Sequence, residues 1–260
     1  MVTSYRQLTT HQKQQIIEAF QSGMECRMIP DFLSVTGRSV ARVLSEANIN
    51  TKRRNRYTLL EDYFDSIDSE TKAYLLGLIA ADGCVTTTNY IVFESIESEL
   101  TELLKSELHY TGKVRIVQPK GGYAQHYRIN FSSKIMAKTL GEYAIFPGRS
   151  FSDICYFPSA QYLPAYVLGY FDGDGCAYVN QGRSGGLVCI VGSFSFTTEL
   201  SKRLNMGVVV KHHCSNVYYW RIYSRQNIKA FYQLIYQDQS LGLSRKKQKI
   251  EQILGSYCRG

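Results

Sequence analysis

The sequence predicts an α+β protein in which two copies of one αββαββα unit follow a small all-α domain. The first observation is a pair of nine-residue strings, LLGLIAADG at 75–83 and VLGYFDGDG at 167–175, each an apolar run that ends in Asp-Gly. The second is a strand-like segment with an aromatic-Arg-Ile core, which recurs around Arg128 and Arg221, 46 and 47 residues after the last aspartate of each string. The third is a helix-turn-helix pattern within the first fifty residues.

Composition favours a nucleic-acid partner. A chain of 260 residues can form one or two domains with a sizeable core. The net charge of +8 suits an anionic partner, and the 20 tyrosines and 12 phenylalanines favour nucleic acid over a membrane surface, because aromatic rings stack on bases. No apolar run is long enough to span a bilayer, and the N-terminus lacks the apolar core of a signal peptide.

The seven cysteines indicate a reduced, intracellular protein. They are odd in number and never spaced C-x-x-C, so the sequence predicts neither a disulfide framework nor a zinc site. His212, His213 and Cys214 are consecutive, and three consecutive side chains do not face one metal in regular structure. We therefore expect free thiols and an intracellular location, with the host compartment left open.

The charge is unevenly distributed. Residues 1–60 carry +5, residues 61–108 carry −9 and residues 109–260 carry +12. The acidic middle block is therefore not expected to form the main nucleic-acid surface, although it contains Asp82.

The N-terminal domain, 1–50, reads as three helices near 11–22, 25–33 and 38–47. The spacing resembles the resolvase-like and homeodomain-like helix-turn-helix, in which the last helix enters the major groove. Arg38, Ser39 and Arg42 are predicted on its groove-facing side. A trihelical module that contacts only protein is the alternative.

A basic linker, 51–60, follows the third helix. Its charges favour a phosphate or minor-groove contact over a merely solvated connection. The residues concerned are Lys52, Arg53, Arg54 and Arg56.

The first repeat is assigned to 61–150 and the second to 151–260. In each, an apolar helix ends at Asp-Gly and is followed by a hairpin (85–96 and 177–194), a helix (98–108 and 198–204), a second pair of strands and a closing helix (135–142 and 227–236).

Alternation along the second strand pair predicts one core face and one polar face. Apolar residues alternate with basic, amide and aromatic ones, an arrangement that favours a nucleic-acid surface over an ordinary solvated face. The predicted DNA-facing side chains are His126, Arg128 and Asn130 in the first repeat, and Tyr219, Arg221 and Tyr223 in the second.

Small residues recur at helical spacing within both strings. Gly77 and Ala81 in the first, and Gly169 and Gly173 in the second, each give a helix one smooth face. Two such helices can pack backbone to backbone. Asp82 and Asp174 would then meet at the C-terminal helix ends, where carbonyl oxygens also accumulate. Such a site should bind Mg²⁺ or a similar hard cation such as Mn²⁺ or Ca²⁺.

The two strings resemble the motif of the LAGLIDADG homing endonucleases, and the resemblance extends over roughly residues 63–254. It implies a monomeric pseudo-dimer whose saddle-shaped antiparallel sheets cover a long, asymmetric site in double-stranded DNA, and metal-dependent cleavage of both strands with short 3′ overhangs. It also implies that Asp82 and Asp174 are metal ligands and that Ala81 and Gly173 add backbone carbonyls. Ala80 departs from the motif, where an acidic residue is usual; the second string keeps it as Asp172.

Supporting catalytic residues are assigned by position. Arg149 lies near the end of the first repeat, Lys246 and Lys247 lie near the end of the second, and Glu97 follows a strand of the first. We expect the basic residues to support the transition state or position solvent, and Glu97 to line the site.

Other functions remain open on the same residues. A DNA-binding regulator that has lost cleavage would usually have eroded motif aspartates, whereas both are present here. An RNA maturase on the same fold is a further alternative, and an intron-encoded origin is expected but not shown. An intein is disfavoured by Met1 and by the absence of a terminal His-Asn, and a recombinase would need a nucleophilic domain for which the sequence gives no signal.

Overall fold

The computed structural model divides the chain into two compact units, Met1–Arg56 and Tyr57–Gly260. It describes residues 3–49, 57–118, 124–149, 152–182, 184–213, 215–237 and 240–257. Among these residues, none of the helices combines the length and the apolar character that crossing a bilayer requires.

The N-terminal unit is a trihelical module around its own small core. Its helices are α1 (Thr10–Gln21), α2 (Ile29–Leu33) and α3 (Gly37–Glu46). Thr9 caps α1 by accepting from the Gln12 amide, and Thr36 caps α3. The second helix is shorter than predicted: it begins at Ile29 rather than near residue 25, with Pro30 in its first turn, where a missing N–H costs nothing.

The larger unit contains both repeats, and each has the predicted order of elements. The first repeat comprises α4 (Glu70–Asp82), β1 (Gly83–Val85), β2 (Tyr90–Ser95), α5 (Ser98–Glu107), β3 (Arg115–Val117), β4 (His126–Ser132) and α6 (Lys134–Glu142). The second comprises α7 (Leu163–Asp174), β5 (Gly175–Val179), β6 (Gly186–Gly192), α8 (Phe194–Leu204), β7 (Val208–Lys211), β8 (Tyr218–Ile222), α9 (Arg225–Ile235) and α10 (Ser244–Ser256).

The strands form two antiparallel sheets of the same topology. Their orders are β1-β2-β4-β3 and β5-β6-β8-β7. The predicted inner positions are buried: Ile129 and Phe131 in β4, and Trp220 and Ile222 in β8, are at most 1% exposed. These side chains and the two motif helices share one continuous hydrophobic core, so the α+β fold class is confirmed.

Helix α10 was not predicted as an element. Its buried residues, Lys246, Ile250 and Ile253, recur every three or four positions and form one face. That spacing is readable in the sequence. The helix packs on the second repeat and brings Lys246 into its interior.

Candidate active site

The two motif helices touch through their backbones. A Cβ on Gly77 would lie 2.1 Å from the carbonyl oxygen of Tyr166, and one on Gly169 would lie 1.9 Å from that of Tyr74. The two contacts are reciprocal, since Gly77 and Gly169 occupy matching places in the strings, and Tyr74 and Tyr166 immediately precede the strings. Such reciprocity is the mark of a two-fold contact. The predicted glycine-lined helix packing is therefore confirmed.

The close contact between the two motif helices continues to their C-terminal ends. A Cβ on Gly173 would lie 2.4 Å from the Ala81 Cβ and 3.1 Å from an Asp82 carboxylate oxygen. Asp82 thus lies against the last turn of α7, which ends at Asp174. The structure brings together the two aspartates that the sequence placed 92 positions apart.

Both carboxylates bind protons more tightly than ordinary aspartates. Burial, together with the charge of Asp174, raises the pKa of Asp82 to about 6. Burial likewise raises the pKa of Asp174, while Arg149 and Lys246 oppose that rise. The Asp82 side chain stays accessible to solvent and Asp174 is half-buried, so an ion could reach both. Because water reaches the Asp82 side chain, it screens part of the electrostatic cost of ionising that carboxylate.

One cation caps the end of each motif helix. In the first repeat an Arg149 guanidinium nitrogen donates to the carbonyls of Ala81, at 3.2 Å, and Gly83, at 3.4 Å. In the second, the Lys246 ammonium donates to Gly173, at 3.2 Å, and Gly175, at 2.7 Å. These carbonyls hold equivalent places in the two strings, so Arg149 and Lys246 are counterparts at the two halves of the site.

Lys246 is the more deeply placed of the two cations. It is 5% exposed and also donates to the carbonyls of Phe171 and Asp172, both at 2.7 Å. Burial lowers its pKa to about 8, against the opposing pull of Asp172 and Asp82. The negative end of α7 compensates the buried charge.

Lys247 has a different neighbour from Lys246. Its ammonium lies 5.5 Å from the centre of the Tyr236 ring. The structure thus gives Lys246 the contacts with the end of α7 on which a catalytic assignment would rest. Adjacent helical residues point about 100° apart, and sequence position alone could not choose between them.

Glu97, which the sequence predicted to line the site, has an ion-pair partner in the structure. Its carboxylate pairs with Arg245, with 2.5 Å between Oε1 and Nε, so it links α5 of the first repeat to α10 of the second. Within the described part of the chain, no group of three or more His, Cys, Asp or Glu side chains could hold a metal ion. Glu97 therefore does not complete a three-carboxylate site.

The donor set at the helix ends fits a hard divalent cation. Two carboxylates are available from Asp82 and Asp174, and the carbonyls of Ala81 and Gly173 each keep a second lone pair beyond the one engaged by Arg149 or Lys246. Mg²⁺ is commonly held by one or two carboxylates, with water and substrate phosphate completing its shell. The described residues meet that requirement.

Comparison with known proteins bears on the fold. No protein-family model matches the sequence, and no curated protein matches it as a relative. Among solved structures, the I-LtrWI LAGLIDADG homing endonuclease bound to target DNA is 13% identical, with a TM-score of 0.51 over 76% of this chain and 91% of that one. The LAGLIDADG meganuclease I-AabMI bound to uncleaved DNA is 16% identical, with a TM-score of 0.49 over 70% and 89%.

The alignment with I-LtrWI decides the architecture, because it spans nearly all of that chain at a TM-score above 0.5. The chain has the LAGLIDADG homing-endonuclease fold. A shared fold does not by itself establish a shared activity, so the function has to be argued from the site and its surfaces.

In this LAGLIDADG fold the outer face of the first sheet is polar and internally paired. Glu94 in β2 lies opposite Arg128 in β4 and binds it, with 2.6 Å between Oε1 and Nε; its other oxygen lies 2.7 Å from His126 Nε2. Asn130 lies on the same face, one alternation further along β4. Sequence reasoning omitted Glu94, although its place in β2, two residues after Val92, was readable from strand alternation.

The outer face of the second sheet of the LAGLIDADG fold is more apolar. The Arg221 guanidinium lies 4.5 Å from the centre of the Tyr219 ring. Val208 and Cys189 flank Arg221 on the neighbouring strands. Tyr223 follows the end of β8 and is 49% exposed. The predicted outward direction of Tyr219 and Arg221 agrees with the burial of Trp220 and Ile222, which alternate with them along β8.

In the N-terminal unit, which precedes the LAGLIDADG repeats, the structure separates the three predicted groove residues. Arg38 is exposed. Arg42 is exposed but stacks on the Tyr5 ring, 4.2 Å from its centre, and pairs with Glu46. The prediction for Ser39 is wrong: it is 0% exposed and bonded to the Thr36 hydroxyl at 2.7 Å. Its place four residues before Val43 puts it on the buried stripe of α3. Lys52, Arg53, Arg54 and Arg56 lie outside the described residues.

Proposed function

We propose that the chain is a site-specific double-strand DNA endonuclease that hydrolyses phosphodiester bonds with Mg²⁺ or another hard divalent cation. One observation carries the proposal. The fold packs α4 and α7 backbone to backbone, and this packing places Asp82 and Asp174 together at the helix ends, each beside a capping cation. A fold retained only for DNA binding would have no need of two acids with raised pKa values at that point.

The chain's own residues have distinct tasks in this proposal. Asp82 and Asp174 would hold the metal, with the carbonyls of Ala81 and Gly173 as further oxygen ligands. A bound divalent cation supplies Lewis-acid polarisation of the phosphate, a more acidic attacking water and stabilisation of the leaving 3′ oxygen. Arg149 and Lys246 hold the carbonyls at the helix ends and supply positive charge facing the two carboxylates. Their charges thereby oppose part of the pKa rise of the two carboxylates.

Double-stranded DNA is the proposed partner of the outer sheet faces. In this proposal Arg128, Arg221 and Tyr219 contact phosphates and bases, and the net charge of +8 favours the encounter. The two faces differ, one bearing charged pairs and the other valines and tyrosines, so the target should be asymmetric, as expected for a single-chain pseudo-dimer. The N-terminal unit, through Arg38 and Arg42, would extend the footprint by linkage.

A library of randomised linear duplexes tests the proposal. The protein is incubated with the library and Mg²⁺ or Mn²⁺, and newly formed ends are captured and sequenced. We expect double-strand ends at one recurring asymmetric sequence, lost in Asp82→Asn and Asp174→Asn while binding persists.

The controls separate cleavage from binding and from contamination. Glu251→Gln changes an exposed carboxylate on α10 and should leave cutting intact, so equal cutting by all variants would indicate a contaminating nuclease. Tight sequence-specific binding with no ends under either cation would overturn the enzyme assignment and indicate a regulator.

A further inference from the structure

Asp172 is a buried carboxylate outside the metal-ligand set. It lies in α7, is 3% exposed, and points one oxygen at two donors. Oδ2 accepts from the Tyr74 hydroxyl at 2.9 Å and from the Leu243 amide at 2.9 Å. Tyr74 belongs to the helix of the other repeat, and Leu243 immediately precedes α10, so this single oxygen connects three helices.

The bond to Leu243 fixes the start of α10. Leucine has no side-chain acceptor for the free amides of a first turn, and the nearby Asp172 carboxylate suits the positive end of the helix. The Leu243 carbonyl in turn accepts from the Lys246 amide at 3.0 Å. One turn of backbone therefore separates the Asp172 contact from Lys246.

The side chain of Lys246 extends from α10 back to α7. Its ammonium donates to the Asp172 carbonyl at 2.7 Å and to three neighbouring carbonyls, including that of Gly173 beside the metal ligands. The side chain of Asp172 binds the start of α10, and the backbone carbonyl of Asp172 accepts a hydrogen bond from the Lys246 ammonium of the same helix. Asp172 and Lys246 are therefore linked both through the side chain of Asp172 and through its backbone.

The first repeat is built differently at the matching place. Ala80 stands where the second string has Asp172, and a cavity of about 270 Å³ opens there. Arg149 and Tyr166, the counterparts of Lys246 and Tyr74, both line this cavity. Alanine has no side-chain oxygen, so it can supply none of the Asp172 bonds. The first string thus lacks the carboxylate that Asp172 supplies in the second.

We propose that Asp172 is a positioning residue that places the Lys246 ammonium on the end of α7, and that it serves only the second half of the site. The placement of Lys246 is a claim about the protein alone. Its consequence for cleavage, a selective effect on one DNA strand, rests on the proposed endonuclease function.

Amine labelling tests the placement without DNA. The protein is treated with N-hydroxysuccinimide acetate and acetylation of Lys246 is followed by mass spectrometry, with the exposed Lys249 as internal reference. Asp172→Ala installs the residue of the first string, and we expect Lys246 to be acetylated about tenfold faster or more, the loss expected when a charge-assisted hydrogen bond is removed. Asp172→Asn retains an acceptor for the Leu243 amide and should restore most of the protection.

Two further variants isolate the cause. Tyr74→Phe removes the other bond to Oδ2 but keeps the Leu243 contact, so Lys246 should stay protected. Leu104→Ala, in the buried core of the first repeat, controls for general loss of stability and should not expose Lys246 selectively. Unchanged labelling in Asp172→Ala, or equal labelling in Leu104→Ala, would overturn the positioning role.

Strand-resolved cleavage tests the consequence. On a supercoiled plasmid that carries a selected target, Asp172→Ala should accumulate nicked circles. On a linear duplex of the same target with each strand end-labelled in turn, one strand should be cut at the wild-type rate and the other more slowly. Equal slowing of both strands would overturn the restriction to one half. If the wild-type protein cuts no DNA, the endonuclease proposal fails, and the labelling result still decides whether Asp172 places Lys246.

Discussion

Replacing Gly169 with alanine should force apart helices α4 and α7 where their backbones touch. The new Cβ would lie 1.9 Å from the Tyr74 carbonyl oxygen and 3.0 Å from the Leu78 nitrogen. Contacts of this kind need roughly 3.3 Å or more, so one helix must shift by more than 1 Å. No side-chain rotation can relieve the clash, because the opposing atoms are backbone.

The cost can be estimated from overpacking. Inserting a methyl group into a well-packed core costs about 1–3 kcal/mol and sometimes more, and a backbone clash lies at the upper end. Alanine recovers about 1 kcal/mol of helix propensity relative to glycine. We expect a net loss of about 2–3 kcal/mol, which lowers the melting temperature by roughly 4–12 °C for a unit of this size.

Fluorescence of Trp220 provides the assay. It is the only tryptophan, and its full burial in the second repeat makes it report unfolding of the larger unit. Gly141→Ala is the matched control, because Gly141 lies within α6 and a Cβ there meets nothing within 4 Å. That variant should be neutral or slightly more stable. Equal melting temperatures for the two variants would refute the backbone contact.

Three further predictions concern charge. Burial raises the pKa of Asp82 to about 6 and that of Asp174 in the same direction. The affinity for Mn²⁺, measured by calorimetry, should therefore fall as the pH drops through about 6 and level off above it. A flat affinity profile from pH 5 to 8 would contradict the raised pKa values. Lys246→Met should destabilise the larger unit by about 2–4 kcal/mol in urea unfolding, because four carbonyls lose a buried charged donor, whereas the exposed Lys249→Met should change little. Arg221→Ala should weaken DNA binding and, if the guanidinium contacts a phosphate, reduce the slope of log affinity against log salt by about 1; an unaltered affinity would remove Arg221 from the interface.

The repeat made much of the fold predictable. In each string Asp-Gly after an apolar run predicts the end of a helix. Strand alternation around Arg128 and Arg221 separates inner from outer residues in the sequence alone. Because both copies repeated the same order, an ambiguous segment in one could be interpreted from the other. The closing helix α10 exists in only one copy among the described residues, so the repeat gave no information about it.

The site was predictable only in part, for geometric reasons. The aspartates follow from the strings, and Arg149 and Lys246 were selected by position. Which of two adjacent lysines enters the core depends on the phase of α10. The pairing of Glu97 could not be read from the sequence, because its partner, Arg245, is 148 residues away. Ser39 is polar but lies on the apolar stripe of α3, so its polarity does not indicate the direction of its side chain.

The central claim is that Asp82 and Asp174 form one metal site. Iron-directed cleavage of the polypeptide tests it most directly: Fe²⁺ is bound in place of Mg²⁺ in the presence of duplex DNA, ascorbate and peroxide generate hydroxyl radicals at the metal, and the fragments are mapped. We predict cuts at the C-terminal ends of both α4 and α7, and the loss of both cuts in Asp82→Asn as well as in Asp174→Asn. Cuts near one helix end that survive substitution of the other aspartate would contradict a shared site.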